Sequence, residues 1–170
     1  MAMPTVSADI ITNMDPNGLS WHCQHFSALE SSMLYQLLQL RQSVFVVEQE
    51  CVYPDLDDLD QGSDHLYALD AAGPVAYARC LPPGLAWEAS SIGRIMVKTS
   101  LRRLKLGGEL TRRAIAHNFA HWPGHPIRIG AQAYLEQFYQ QLGFTSEQDP
   151  YMEDGILHVH MYLTATGEQN

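Results

Sequence analysis

Ser91-Ile-Gly-Arg-Ile-Met-Val97 is followed by Lys98-Thr-Ser-Leu-Arg-Arg-Leu-Lys105 and then by Leu106-Gly-Gly-Glu-Leu110. The first piece reads as a β-strand, the second as a basic loop and the third as the start of a helix. Leu106, Leu110, Ala114 and Phe119 keep a helical spacing until Trp122-Pro-Gly124 stops it. A strand that feeds a loop at a helix N-terminus presents unpaired backbone N–H groups and the positive end of the helix dipole. That setting favours an anion such as phosphate. Gly107 and Gly108 remove side chains where a ligand must come close. Arg102, Arg103 and Lys105 add full positive charges. The alternative is an ordinary strand-loop-helix with a basic, solvated edge. Neither a G-x-x-x-x-G-K-[ST] loop nor a G-x-G-x-x-G fingerprint is present, so nucleotide hydrolysis and dinucleotide binding lose their usual support.

Working upstream, Leu19 to Phe26 alternates as a first strand. Ser27-Ala-Leu-Glu30 has the form of a capping box. Met33, Leu34, Leu37, Leu38 and Phe45 continue at amphipathic spacing, which predicts a helix over 28–42. The acidic stretch 54–64 has no period and reads as a loop. His65 to Leu69 and Val75 to Leu81 read as strands joined at Asp70-Ala-Ala-Gly73. Downstream, Ile127 to Gln132 reads as a short strand and Tyr134 to Leu142 as a short helix closed by Gly143. Ile156 to Leu163 reads as a last strand. The order β-α-β-β-β-α-β-α-β predicts one α/β domain with a mixed sheet over 19–166. Residues 1–18 show no period and are expected to be a mobile extension.

The chain has 170 residues, 46% apolar and 17% charged, a globular composition long enough to bury one core. Its uncharged apolar runs, such as Val44-Phe-Val-Val47, fall far below the ~20 residues of a membrane span. The N-terminus has neither a basic n-region nor an apolar h-region, so no signal peptide is expected. Cys23, Cys51 and Cys80 are scattered and odd in number. They read as reduced thiols, and the protein is expected to be cytoplasmic. A net charge of −9 argues against nucleic-acid binding, which calls for a basic stripe. The charge is segregated. Eight of the ten Lys and Arg residues fall between Arg94 and Arg128, whereas Glu48 to Asp64 holds seven acids and no Lys or Arg. The basic half fits an anionic ligand. The acidic run is either a collecting surface for a cationic ligand or a solvated face. His117 and His121 share a helix face, but His125 lies past a Pro-Gly break and no metal site is expected.

Arg102-x-x-Lys105-x-Gly107 follows the pattern [RQ]-x-x-[GA]-x-[GA], with Lys105 in place of the first small residue. Phe138-Tyr139-Gln-Gln-Leu-Gly143-Phe144 comes next in order and spacing. Together these blocks resemble the GNAT superfamily of N-acetyltransferases. Six further blocks narrow the resemblance to its ElaA-type branch. They are Leu34-Tyr-Gln-Leu-Leu-Gln-Leu-Arg41, Val44-Phe-Val-Val-Glu-Gln49, Tyr77-Ala-Arg79, Ile92-Gly-Arg94, Gly130-Ala-Gln-Ala133, and Glu153-Asp-Gly155 with His158. The resemblance runs over 19–164. The loop departs from the family at Arg103 and Lys105, where small residues are usual.

The resemblance implies the GNAT acyl-CoA N-acyltransferase fold, a twisted mixed sheet splayed between the Ser91–Val97 and Ile127–Gln132 strands. It implies acetyl-CoA as co-substrate and no metal. The pantetheine arm would bond to the backbone of Ile95, Met96 and Val97. The pyrophosphate would lie on Arg102, Arg103, Leu104, Lys105, Leu106, Gly107 and Gly108. Gln132 and Tyr139 would complete the donor site. The acetyl group would pass directly from the thioester to a primary amine in a ternary complex. Tyr139 is the expected general acid for the leaving thiolate, and an amide near Met96 the expected oxyanion donor. Glu48 is the first candidate base. His65 and His158 are alternatives, and all three are candidates for acceptor binding. Glu48 also reads as a structural carboxylate holding Arg41, Arg79 or Arg94. The acceptor is expected to be a small-molecule or peptide amine, with no nucleic-acid or membrane partner, and the assembly a homodimer. The rival reading is a non-catalytic acyl-CoA-binding module that regulates or contacts a protein partner.

Overall fold

The structure, a computed structural model, describes residues 14–50, 53–147 and 149–165. Strand β1 (Ser20–His25) precedes helix α1 (Ser31–Arg41), which passes directly into a π-helical turn over Gln42–Glu48. Strands β2 (Asp64–Asp70), β3 (Gly73–Leu81) and β4 (Ser90–Val97) form an antiparallel meander. A 3-10 turn over Thr99–Leu104 leads into helix α2 (Leu106–His121). Then come β5 (Ile127–Gln132), helix α3 (Glu136–Gln141), β6 (Thr145–Ser146), β7 (Tyr151–Glu153) and β8 (Ile156–Leu163). Each expected strand and helix is present in the expected order. The short β6 and β7 are additions, too brief to show an alternation in sequence.

The capping box does not form. Ser27 lies in a 3-10 turn where its N–H donates to Nδ1 of His25 (3.2 Å), and the turn leaves through an extended Leu29. Helix α1 therefore starts only at Ser31. Just before β1, the Asp15 carboxylate accepts from the N–H groups of Asn17 and Leu19 and from Nε1 of Trp21. Those bonds close Met14 to Gly18, the described part of the expected extension, into a turn. The expectation of mobility for residues 1–13 lies outside the described residues. Among the described residues no helix is long and apolar enough to cross a membrane.

The strands form one sheet in the order β1-β2-β3-β4-β5-β8-β6, with β7 also paired to β8. Among the described residues only β4 and β5 are parallel neighbours, and they pair solely at Ser90↔Ile127 and Ser91↔Arg128 before parting. The expected splay is thus present. Its apex is pinned from α2, where the buried Asn118 donates Nδ2 to the Ser91 carbonyl (2.9 Å) and to Ser90 Oγ (3.3 Å).

Both faces of the sheet are covered near β3. Ala76 and Ala78 point to one side, where their small size lets Leu106, Leu110 and Ala114 of α2 pack closely. Tyr77 points to the other, against Leu37, Leu40 and Val44.

The acidic loop is spent inside the protein. The fully buried Arg41 donates Nε to Asp55 (2.9 Å) and Nη1 to Asp60 (2.6 Å). Arg79 grips Asp57 through two nitrogens, each at 2.7 Å, and reaches Asp60 at 3.0 Å. Arg94 donates Nε to Asp55 at 2.7 Å. Asp55, Asp57 and Asp60 therefore balance Arg41, Arg79 and Arg94. Charges this deep are tolerated only when paired and hydrogen-bonded. The expectation of a collecting surface for a cation is corrected for these three acids.

This network has an acid-side consequence. Desolvation raises the pKa values of Asp57 and Asp60, but their arginines outweigh it and hold both below the ordinary carboxylate range. Burial, the largest influence, lowers that of His65. Each group binds its proton more readily in the unfolded chain, so stability falls as pH falls. Melting temperature should drop first below about pH 6.5, as the unfolded imidazole charges, and again below about pH 4. Thermal melts between pH 8 and pH 3 check both steps.

Candidate functional site

Where β4 and β5 part, a cleft of about 660 Å³ opens. Ile95, Met96 and Val97 form one wall and Ile129 to Gln132 the other. Tyr139 and Arg102 close it from the helical side, Val44 and Phe45 come from the π-turn, and His158 comes from β8. The expected residues Ile95, Met96, Val97, Arg102, Gln132, Tyr139 and His158 thus meet in one place. Beyond Ser91 the β5-facing edge of β4 has no strand partner. Its N–H and C=O groups must find another partner or water.

Arg103, Leu104, Lys105, Leu106, Gly107 and Gly108 continue from Arg102 to the first turn of α2. Leu106 buries its side chain in the core, so only its backbone is left to face a ligand. Lys105 adopts φ 57°, ψ 22°, the left-handed conformation. A non-glycine residue pays roughly 1–2 kcal/mol there, which is why a small residue suits the position and why Lys105 is a costed departure. A Cβ added at Gly107 would meet nothing within 4 Å, so the space over this turn is open to a ligand.

Strand β4 carries a bulge opposite the cleft. Tyr77 pairs with Met96 and Arg79 with Gly93, so Arg94 and Ile95 together face only Ala78. Arg94 takes up φ 53°. A strained residue of this kind persists where its surroundings over-determine it.

Tyr139 is 7% exposed, and its ring meets Phe138 and Phe144 edge-on at 5.0 and 5.8 Å. Burial pushes its hydroxyl pKa up to about 12. Among the described residues no hydrogen bond holds that hydroxyl, and Tyr139 is one of the residues lining the cleft.

Glu48 stands elsewhere. It accepts from Thr99 Oγ1 (2.6 Å) and pairs with Arg102 Nη1 (2.5 Å), and it does not line the cleft. Its pKa is lowered by the Thr99 hydrogen bond and by Arg102. Glu48 occupies a cation of the loop rather than Arg41, Arg79 or Arg94. An exposed pair of this kind is worth up to about 1 kcal/mol, so Glu48→Gln should free Arg102 and tighten CoA binding by up to about fivefold. Calorimetric titration reads this. A base at Glu48 requires the opposite, unchanged affinity with a collapse of turnover.

His65 is corrected as an acceptor-binding candidate. It is 1% exposed, with Nδ1 on the Tyr77 hydroxyl (2.7 Å) and Nε2 on the Asp60 carbonyl (3.0 Å). His158 does face the cleft. Its Nδ1 lies 2.8 Å from the Ile156 carbonyl, which can only accept, so Nδ1 donates there and Nε2 is the nitrogen left to meet a ligand.

Several cleft residues escaped the sequence reading as site residues. Tyr53, Asp57, Tyr134, Glu153 and Asp154 all line it. Asp154 and Gly155 have φ 48° and 78°, the two-residue hairpin turn that Asp-Gly favours, and this turn carries Glu153 and Asp154 to the mouth. That dipeptide was the available signal. On the far side of the sheet, His117 is held by Asp64 (2.8 Å) and His121 by the His117 carbonyl (3.0 Å).

A mixed sheet parted at β4 and β5, with Arg102 and a tyrosine lining the cleft and an open glycine turn following Arg102 in the chain, is the architecture of an acyl-CoA-dependent acyltransferase. Residues 35–165 match the family model for the acetyltransferase (GNAT) domain, and the chain belongs to that family. Over 145 residues it is 43% identical to Protein ElaA of Escherichia coli (strain K12), covering 84% of this chain and 95% of that protein. It superposes on the crystal structure of Escherichia coli ElaA with a TM-score of 0.80 at 41% identity, covering 85% of this chain and 98% of that one. A crystal structure of an acyl-CoA N-acyltransferase from Pseudomonas aeruginosa gives a TM-score of 0.82 at 37% identity, covering 86% and 99%.

Proposed function

We propose that this protein is a cytoplasmic N-acetyltransferase that moves an acetyl group directly from acetyl-CoA to a primary amine in a ternary complex. The observation that carries the reading is the unpaired edge of β4, which runs to the N-terminal turn of α2 and faces Tyr139. The backbone of Ile95 to Val97 bonds the pantetheine arm, and the Arg102 to Gly108 segment holds the pyrophosphate. The Lys98 N–H donates to the Val75 carbonyl (2.7 Å), so in this register Met96 also turns its N–H to β3. The amide of the adjacent Val97, turned away from β3, is the one that meets negative charge developing on the thioester oxygen. Tyr139, a phenol protonated at neutral pH, supplies the proton to the leaving thiolate. His158 replaces Glu48 as the base: its Nε2 takes the proton of the attacking amine. Glu153 and Asp154 at the mouth favour an acceptor that carries positive charge.

The test is thiol release from acetyl-CoA in the presence of a panel of small primary amines and lysine-containing peptides. Amine-dependent release, with the acetylated amine found by mass, supports the reading. Tight CoA binding with no amine-dependent release at any member overturns it in favour of a non-catalytic module.

A further inference from the structure

The left-handed residue in β4 lines the cleft, and its side chain is held by the acidic loop. Arg94 donates Nε to Asp55 Oδ1 (2.7 Å) and Nη2 to the Asp55 carbonyl (3.1 Å), and Nη2 pairs with Asp57 Oδ2 (3.3 Å). Its guanidinium also lies 5.6 Å from the Tyr53 ring centroid and 6.0 Å from that of Phe45. Both aspartates are anchored again from below, Asp55 by the buried Arg41 and Asp57 by Arg79. Although Arg94 lines the cleft, its positive charge is already met by Asp55 and Asp57.

Nothing on the β5 side fixes the path of β4 beyond Ser91. On the β3 side the ladder slips at this very residue. We propose that Arg94 is a positioning residue: clamped by Asp55 and Asp57, it holds the left-handed bulge that aims the free backbone of Ile95 to Val97 into the cleft. The inference rests on the donor site proposed above and adds a specific cause for its geometry. An extended residue 94 would restore regular pairing with β3 and turn the next amides out of line with the thioester.

Arg94→Ala and Arg94→Gly separate this role from simple stabilisation. Both remove the guanidinium, but glycine adopts a positive φ without a Cβ penalty. Arg94→Ala should lower kcat about 100-fold, the scale of losing one oxyanion donor. Its CoA affinity should fall by no more than about tenfold, because the pantetheine bonds to Ile95 to Val97 loosen while the pyrophosphate loop is untouched. Arg94→Gly should recover at least about tenfold of the lost kcat, even where its melting temperature is the lower of the two. A residue that merely stabilises the fold predicts losses that follow melting temperature, with glycine no better than alanine, and that result overturns the proposal. So does an Arg94→Ala enzyme whose kcat stays within about twofold of the native one. Absence of turnover in the native protein would overturn the assigned function instead. Crystal structures of the two variants then decide the positioning role: a positive φ at residue 94 kept in Arg94→Gly and lost in Arg94→Ala supports it, and one kept in both overturns it.

Discussion

Tyr139→Phe should bind CoA within about threefold of the native protein and lose roughly 10²–10⁴ in kcat, the usual contribution of a positioned general acid. The ring is packed edge-on between Phe138 and Phe144, and phenylalanine keeps both contacts. Only the hydroxyl is lost, and no hydrogen bond among the described residues goes with it. A fall in kcat without a fall in affinity or melting temperature is therefore chemical rather than structural. The raised pKa adds a second signature. A phenol of ordinary pKa is half deprotonated at about pH 10, whereas one held at about 12 keeps its proton there. The native kcat should show no alkaline fall from this group below pH 11. A Tyr139→Phe enzyme with at least half of native kcat would remove Tyr139 from the mechanism.

Arg41→Ala should cost about 3 kcal/mol, because it empties a fully buried position and takes from Asp55 and Asp60 one of the two arginines that hold each, leaving Arg94 and Arg79 as their remaining partners. At roughly 2–4 °C per kcal/mol for a chain of this size, the melting temperature falls by about 10 °C. Loss of activity at moderate temperature should follow, since Asp55 is also the anchor of Arg94. A change below about 2 °C would show that the acidic loop does not depend on its arginines.

The elements of this fold were legible because burial imposes a period on each of them. Leu106, Leu110 and Ala114 mark the inner stripe of α2. The proposed donor loop drew attention through Gly107 and the adjacent cations, both local in sequence. Tyr139 was not legible from its own surroundings, since a tyrosine in a short helix reads as packing. It was found through the blocks around it. The Arg94 clamp was hidden because it joins residues 37 and 39 positions apart across a bulge. The acidic run read as surface because its partners lie far away in sequence, on α1, β3 and β4. His65 was misplaced because β2 buries residues on both faces, so alternation there does not separate cleft from core. Glu48 was misplaced because the π-turn alters the helical phase. Val44 and Phe45 reach the cleft while Glu48 turns to Thr99 and Arg102.

The most direct test of the account is isothermal titration of the native protein and of Gly107→Glu with acetyl-CoA. The substituted side chain projects into open space, because a Cβ at this position meets nothing within 4 Å. The variant should therefore fold normally while its carboxylate occupies and repels the pyrophosphate position. The account predicts micromolar binding by the native protein and a loss of about 100-fold or more in Gly107→Glu at unchanged melting temperature. No binding by the folded native protein, or equal binding by the two proteins, would contradict it.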